Sequence, residues 1–214
     1  MAETTHLKTT GIGVIVLAAG ASRRMPNRAK QLLIYKNQTL LRRAVETALA
    51  SKAAKVTVVL GASSAETSAE IEDLPVSVVL NRDYETGLSS SLVCGLNALL
   101  ADSEHFRTDA ETVRAVVVTL ADQPFVTAAH INRLIEVFER DNVPLVAAEY
   151  NSTVGVPALF SKTLFAELAR IKGDKGAKEL IIKHLASAAV LPMPSAATDI
   201  DTPADFARLS RQID

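Results

Sequence analysis

The segment Leu17-Ala18-Ala19-Gly20-Ala21-Ser22-Arg23-Arg24-Met25 combines a slim backbone with fixed positive charge. Gly20 permits a tight turn and a close approach of main chain to a ligand. Ala18, Ala19 and Ala21 keep the loop narrow, so successive N–H groups can cradle an anion. Arg24, with Arg23 before it and Lys30 a few residues on, adds cationic charge suited to a phosphate-rich ligand. The usual phosphate-binding signatures are absent. No Gly-Lys-Ser/Thr follows, and Gly11 and Gly13 precede the apolar run rather than follow it.

Two carboxylate motifs lie far downstream, Ala121-Asp122-Gln123-Pro124 and Asp199-Ile200-Asp201-Thr202-Pro203. Asp122 ends an apolar run, where a carboxylate faces the same crevice as the first loop. Each motif also has a plainer reading. Asp122 can cap the turn after a strand. Asp201 can cap a helix opened by Pro203, with Asp199 serving the same turn. The serines in Asn81–Leu92 can be helix caps. Gly173-Asp174-Lys175-Gly176-Ala177 is a glycine-rich turn opening a helix, whose N-terminus can hold an anion.

These residues need a scaffold. Segments 12–19, 55–60, 76–80, 113–120 and 144–148 are short, continuous apolar runs rich in β-branched residues. Continuous rather than alternating runs predict strands buried on both faces, as in a parallel sheet. Helical periods lie between them, over Leu40–Leu49, over 88–100, and over Ile131–Phe138 with a cap at Thr127. Strands alternating with helices predict a three-layer α/β/α, Rossmann-like fold with a mostly parallel sheet. Ligands in such sheets sit beyond the carboxyl ends of the strands, where the first loop and Asp122 fall. Segment 155–160 reads as a strand whose proline sits at an edge or a bulge. Helices are expected at 162–170, 175–186 and 203–212, and a solvated connection at 102–112. A length of 214 residues predicts one domain.

Composition narrows the function further. Lys and Arg number 23 against 24 Asp and Glu, a net charge of −1. No global positive field exists to hold a nucleic acid. Cys94 is the one cysteine, so multi-cysteine metal frameworks are excluded, and its apolar helical setting predicts a packing role. His6, His105, His130 and His184 have no metal-like spacing. The run 12–19 is too short to span a membrane. The expectation is a soluble, cytoplasmic protein.

LAAGASRRM followed by Lys30-Gln31-Leu32-Leu33 resembles the signature of the nucleotidyltransferase fold that includes sugar-phosphate pyrophosphorylases. Within it, the chain most resembles the molybdenum-cofactor nucleotidyltransferases, with motifs in the expected order from about residue 12 to 208. The resemblance implies that Leu17, Ala18, Ala19, Gly20, Arg24 and Lys30 hold the phosphates of an NTP. It implies a Mg²⁺ ion on Asp122 and Asp201, with Arg24, Lys30 and Asp122 catalytic. It places Asn81, Ser90 and Ser91 near the nucleotide, and Gly155, Pro157, Gly173, Asp174 and Gly176 on the acceptor side, dividing the domain into a nucleotide-binding half at about 12–125 and an acceptor half at about 126–208. The Asp-Gln-Pro form resembles the cytidylyltransferase branch, so the implied substrates are CTP and molybdopterin, and the implied recipient is a molybdenum hydroxylase-type apo-enzyme. The alternatives are a molybdenum-cofactor carrier without NTP chemistry, or transfer from GTP or to a sugar or polyol phosphate. Three departures bear on Lys30. Pro26 stands where the family usually has glycine, the gap from Met25 to Lys30 is one residue longer than its common form, and Asn37 replaces a frequent glycine.

Overall fold

The computed structural model describes residues 9–22, 24–25, 29–104 and 113–210. His6, Arg23, Pro26, His105 and the stretch 105–112 lie outside them.

The apolar runs form strands: β1 (Thr9–Leu17), β4 (Ala53–Leu60), β5 (Ser77–Leu80), β6 (Ala115–Leu120) and β7 (Leu145–Tyr150). With β8 (Thr153–Ser161) and β9 (Ala188–Pro192) they make a seven-stranded sheet in the order β5-β4-β1-β6-β8-β7-β9. Within this sheet β8 alone runs antiparallel to its neighbours, β6 and β7. β9 has no counterpart in the sequence reading. Its run AAVLP is short and half-buried, with Pro192 exposed.

The continuous runs follow from burial on both faces. Val14 and Val16 of β1 pack in one core with Leu41, Val45, Ile131 and Leu134. Ile15 and Leu17, pointing the other way, pack with Leu92, Leu96, Leu99 and Ile181. Thus α1 (Leu40–Leu49) and α4 (Ala128–Asp141) cover one face. The other face carries α3 (Leu88–Glu104) and α6 (Lys178–Lys183). Val14, Ile15 and Val16 are wholly buried, and each stabilises the fold by about 1.5–3 kcal/mol.

Caps set several boundaries. Thr39 accepts from the Arg42 N–H at 3.1 Å and starts α1. Thr127 caps α4 as expected, and the His130 ring completes a capping box. The hairpin β2 (Ile34–Tyr35) with β3 (Gln38–Thr39) turns through Lys36 and Asn37, at φ 48° and 64°. Asparagine is among the residues that tolerate this left-handed geometry, since its short polar side chain can hydrogen-bond locally. The family's glycine is therefore dispensable there.

Several expectations change. Segment 102–104 is the last turn of α3 rather than loop. Segment 162–170 is a 3₁₀ turn (Lys162–Leu164) followed by the short α5 (Phe165–Leu168). The helix expected over 175–186 shrinks to α6, because Gly176 at φ 55° breaks its start. Pro157 is not at a sheet edge. β8 is interior, and its register with β7 jumps between Ala147–Ala158 and Ala148–Gly155. Pro157 sits in that bulge, where a strand tolerates a residue without an N–H. Among the described residues a sixth short helix, α2 (Ser64–Ala69), and a last one, α7 (Pro203–Ser210), complete the chain. No helix among them is long and apolar enough to cross a membrane.

Candidate active site

From β1 the chain moves outward to β4 and β5, then crosses back to β6 on the opposite side of β1. The loops leaving β1 and β6 therefore diverge and open a crevice at the carboxyl end of the sheet. A cavity of about 420 Å³ lies there, bordered by Leu17–Ala21, Arg24, Lys30, Ser91, Asp122 and Asp201.

The loop after β1 is held from behind by Gln31, which is 2% exposed. Its Nε2 donates to the carbonyls of Ala18 and Gly20, both at 2.9 Å. Its Oε1 accepts from the Ser22 hydroxyl at 3.2 Å, and that hydroxyl accepts from the Lys30 N–H at 2.9 Å. Gln31 stood in the quoted motif without a role. Its signal was an amide just after the lysine, able to donate twice. A Cβ on Gly20 would meet no protein atom within 4 Å. Protein packing does not demand glycine there, so the open side of the loop is space for a ligand.

Lys30, Asp122 and Asp201 meet despite their separation in sequence. The Lys30 ammonium donates to Asp122 Oδ2 in a short contact and to Asp201 Oδ1 at 2.8 Å. Arg24 Nη2 donates to Asp201 Oδ2 at 2.7 Å from an exposed side chain. The longer gap before Lys30 does not prevent it from reaching the crevice. Burial works against the Lys30 charge, but the Asp122 and Asp201 carboxylates outweigh it and hold its pKa above the usual lysine value. For Asp201, burial works to raise the pKa, while Lys30 and then Arg24 lower it on balance.

The helix-cap reading of Asp201 does not hold. Thr202 caps α7, accepting from the Asp205 N–H, while Asp205 Oδ2 accepts from the Thr202 N–H and hydroxyl. This capping box leaves the Asp201 carboxylate to the site. Asp201 is brought there by Ile200, whose side chain is fully buried with Leu33, Tyr35 and Leu40 and whose N–H donates to the Asp122 carbonyl at 3.0 Å.

A second cavity of about 240 Å³ adjoins the first, sharing Leu17, Leu88 and Leu120. Gly155, Tyr150, Asp199, Lys175 and Lys178 border it. Asp199 is open to the cavity yet crowded by protein. Partial desolvation, then the Asp122 charge, push its pKa up to about 6. Gln123 is buried and donates to the Ala196 carbonyl at 3.0 Å and the Val156 carbonyl at 3.3 Å. Asp199 and Gln123 had no assigned site role in the sequence reading.

The remaining candidates divide. Ser91 borders the first cavity, and so does Asp174, which had been assigned to the acceptor side. Asn81 and Ser90 border neither cavity. Asn81 Nδ2 donates to Ser90 Oγ at 2.9 Å and Ser91 Oγ at 3.0 Å, a strut behind the start of α3. Pro157, Gly173 and Gly176 also border neither cavity. Gly173 accepts from the Ser89 N–H at 3.1 Å, and a Cβ on Gly176 would meet Leu88 at 2.8 Å. Both glycines thus join the 173–177 turn to the start of α3. Cys94 is half-buried rather than enclosed, and partial burial raises its thiol pKa.

Residues 14–188 match the family model described as "MobA-like NTP transferase domain". The chain belongs to this family. It is thereby a member of a nucleotidyltransferase family, in agreement with the sheet order and the crevice. Nicotine blue oxidoreductase of Paenarthrobacter nicotinovorans is 33% identical over 121 residues, 56% of this chain and 54% of that protein, so the match spans about half of that relative. Purine catabolism protein PucB of Bacillus subtilis (strain 168) is 29% identical over 212 residues, 94% of this chain and 96% of that protein. Rv0371c of Mycobacterium tuberculosis H37Rv superposes with a TM-score of 0.77 at 29% identity, covering 95% of this chain and 100% of that one. A complex of Rv0371c with manganese gives a TM-score of 0.73 at 30% identity, covering 94% and 99% of the two chains.

Proposed function

We propose that this member of the MobA-like family transfers a cytidylyl group from CTP to the phosphate of molybdopterin, in the cytoplasm and with Mg²⁺, releasing pyrophosphate. The recipient of the product in this reading is a molybdenum hydroxylase-type apo-enzyme. The observation that carries the reading is the meeting of Asp122 and Asp201 on the Lys30 ammonium at the rim of the loop cavity.

The residues fit a divalent cation. Both carboxylates are hard oxygen donors, and Asp122 Oδ1 is buried without a hydrogen-bond partner. The manganese complex of Rv0371c adds support. Such a cation would neutralise charge between the acceptor phosphate and the triphosphate.

The chain's own groups supply the rest. The Leu17–Gly20 backbone, Arg24 and Lys30 bind and orient the triphosphate. An acceptor phosphate oxygen attacks the α-phosphorus, the bond to the β-phosphate oxygen breaks, and pyrophosphate leaves with its charge taken up by Arg24 and Lys30. No residue needs to remove a proton, because a phosphate monoester with a second pKa of about 6 is already charged at neutral pH. Ser91 shapes the nucleotide side of the cavity, with Asn81 and Ser90 supporting it. The second cavity, edged by Gly155, is the acceptor side in this reading, with Pro157 beside Gly155 in β8, Asp174 at the rim of the first cavity, and Gly173 and Gly176 holding the 173–177 turn against α3. CTP is favoured by the Asp-Gln-Pro form at Asp122.

The test is pyrophosphate release with Mg²⁺ and molybdenum cofactor, with CTP, GTP, ATP and UTP supplied separately. Release with CTP alone is expected. Release with GTP instead overturns the base assignment, and release with no NTP overturns the reaction.

A further inference from the structure

We propose that Lys30 is an internal counter-cation that keeps the paired carboxylates closed to a divalent metal until a nucleoside triphosphate draws its ammonium away. The proposal rests on the nucleotidyl-transfer reading of this site and adds an order to its assembly.

Asp122 and Asp201 present four carboxylate oxygens, and protein cations already hold three of them. Lys30 holds Asp122 Oδ2 and Asp201 Oδ1, and Arg24 holds Asp201 Oδ2. The fourth, Asp122 Oδ1, is buried and unpaired. Among the described residues, the charge of the two carboxylates is offset by the Lys30 and Arg24 cations in direct contact with them. A free divalent cation therefore meets carboxylates whose accessible oxygens are taken. To bind, it must displace an ammonium from both of its carboxylate partners at once. The Lys30 side chain is only 16% exposed, so water repays little of that loss.

A triphosphate changes this balance. Lys30 borders the cavity that the Leu17–Gly20 loop lines, so bound phosphates lie within the same enclosure as its ammonium. Its backbone is fixed, since its N–H donates to Ser22 Oγ at 2.9 Å and its neighbour Gln31 is pinned to the loop. The flexible four-carbon stem can still turn. An ammonium has three donors and no fixed fork, so exchanging carboxylate for phosphate oxygens requires no special geometry. That exchange frees Asp122 Oδ2 and Asp201 Oδ1 together. Nucleotide and metal then each raise the other's affinity by the same factor.

Mn²⁺ binding, read from loss of the free-ion EPR signal, tests this on the full chain. The proteins are wild type, Lys30→Met and Lys30→Gln, each without nucleotide and with α,β-methylene CTP. Without nucleotide, the neutral variants are expected to bind Mn²⁺ at least tenfold more tightly than wild type, and adding Asp122→Asn is expected to remove that gain. The analogue is expected to tighten wild-type binding by a larger factor than it tightens the variants. Equal or weaker Mn²⁺ binding by folded Lys30→Met or Lys30→Gln overturns the proposal. Micromolar Mn²⁺ binding by wild type without nucleotide overturns it too, and that measurement needs no variant to fold. The nucleotide-free titrations involve neither base nor acceptor. A protein that passes them but releases no pyrophosphate keeps the counter-cation and loses the proposed reaction. One that fails them and still releases pyrophosphate shows the reverse.

Discussion

Gln31→Leu tests whether the loop after β1 is built from behind. The substitution keeps nearly the same volume and removes three hydrogen bonds. Two are donated by Nε2 to the Ala18 and Gly20 carbonyls at 2.9 Å, and one is accepted from Ser22 at 3.2 Å. A typical intramolecular hydrogen bond contributes about 1 kcal/mol net, and a buried group left unpaired costs more. Gly20 is exposed, so water can replace its lost donor, whereas Ala18 is 3% exposed and its carbonyl stays unpaired. The expected loss is about 2 kcal/mol of unfolding free energy. For a chain of this length that corresponds to a melting point about 4–8 °C lower. The unpinned loop carries the phosphate-facing backbone, and a displacement of about an ångström costs roughly a hundredfold in rate. Urea denaturation followed by circular dichroism reads the first effect, and pyrophosphate release with varied NTP reads the second. Gln31→Glu is expected to be worse than Gln31→Leu, because a carboxylate would face two carbonyl oxygens. A Gln31→Leu protein within 0.5 kcal/mol of wild type, with unchanged KM for the nucleotide, refutes the reasoning.

Three further expectations follow from the same geometry. Asp122→Ala should lower pyrophosphate release by several orders of magnitude while the circular dichroism spectrum and melting point stay near wild type; a folded and fully active variant removes Asp122 from the mechanism. Gly20→Leu should leave the melting point nearly unchanged, since no protein atom lies within 4 Å of its Cβ, yet raise the nucleotide KM at least tenfold; an unchanged KM means the cavity beside it is not the nucleotide site. The Asp199 carboxyl is held at about 6 in the folded protein against an ordinary 3.8, so the folded state favours its proton. Folding then carries no penalty below about pH 4, a growing one as pH rises from 4 to 6, and a constant one above 6. With solvent screening at this cavity-exposed group, Asp199→Asn should be about 1 kcal/mol more stable than wild type at pH 8 and equal to it at pH 4. Metal-free urea titrations at both pH values measure the difference, and a gain that is equal at the two values refutes the assignment.

Much of the scaffold is written locally. A strand buried on both faces must be apolar at successive positions, so IGVIVL and AVVVTL declare themselves without reference to any partner. Helix α4 does the same through its apolar spacing and the Thr127 cap. The phosphate-suited loop was legible because glycine, alanine and arginine are local choices, and the family resemblance carried Asp122 and Asp201 as a pair. Elements whose stability comes from neighbours were not legible. Strand β9 is half-buried and gains its place by pairing with β7. Pro157 was compatible with an edge or a bulge, and only the register of β8 with β7 decides for a bulge opposite Ala147 and Ala148 in the sheet interior.

The site divides along the same line. Residue types alone say that a cationic loop suits phosphate, and the family resemblance adds that two distant carboxylates suit a hard cation. Whether they touch depends on contacts between remote segments. The Asp122 carbonyl accepts from Ile200, and the buried Ile200 side chain draws the Asp201 segment to the end of β6. Thr202 rather than Asp201 caps α7 because Asp205 answers it across one helical turn. Asn81 and Ser90 carry the same groups as a binding site but satisfy one another instead. Residue chemistry sets what a side chain is able to bind. The packing of distant segments decides which of its hydrogen bonds are already spent and which charges are left to meet across the crevice.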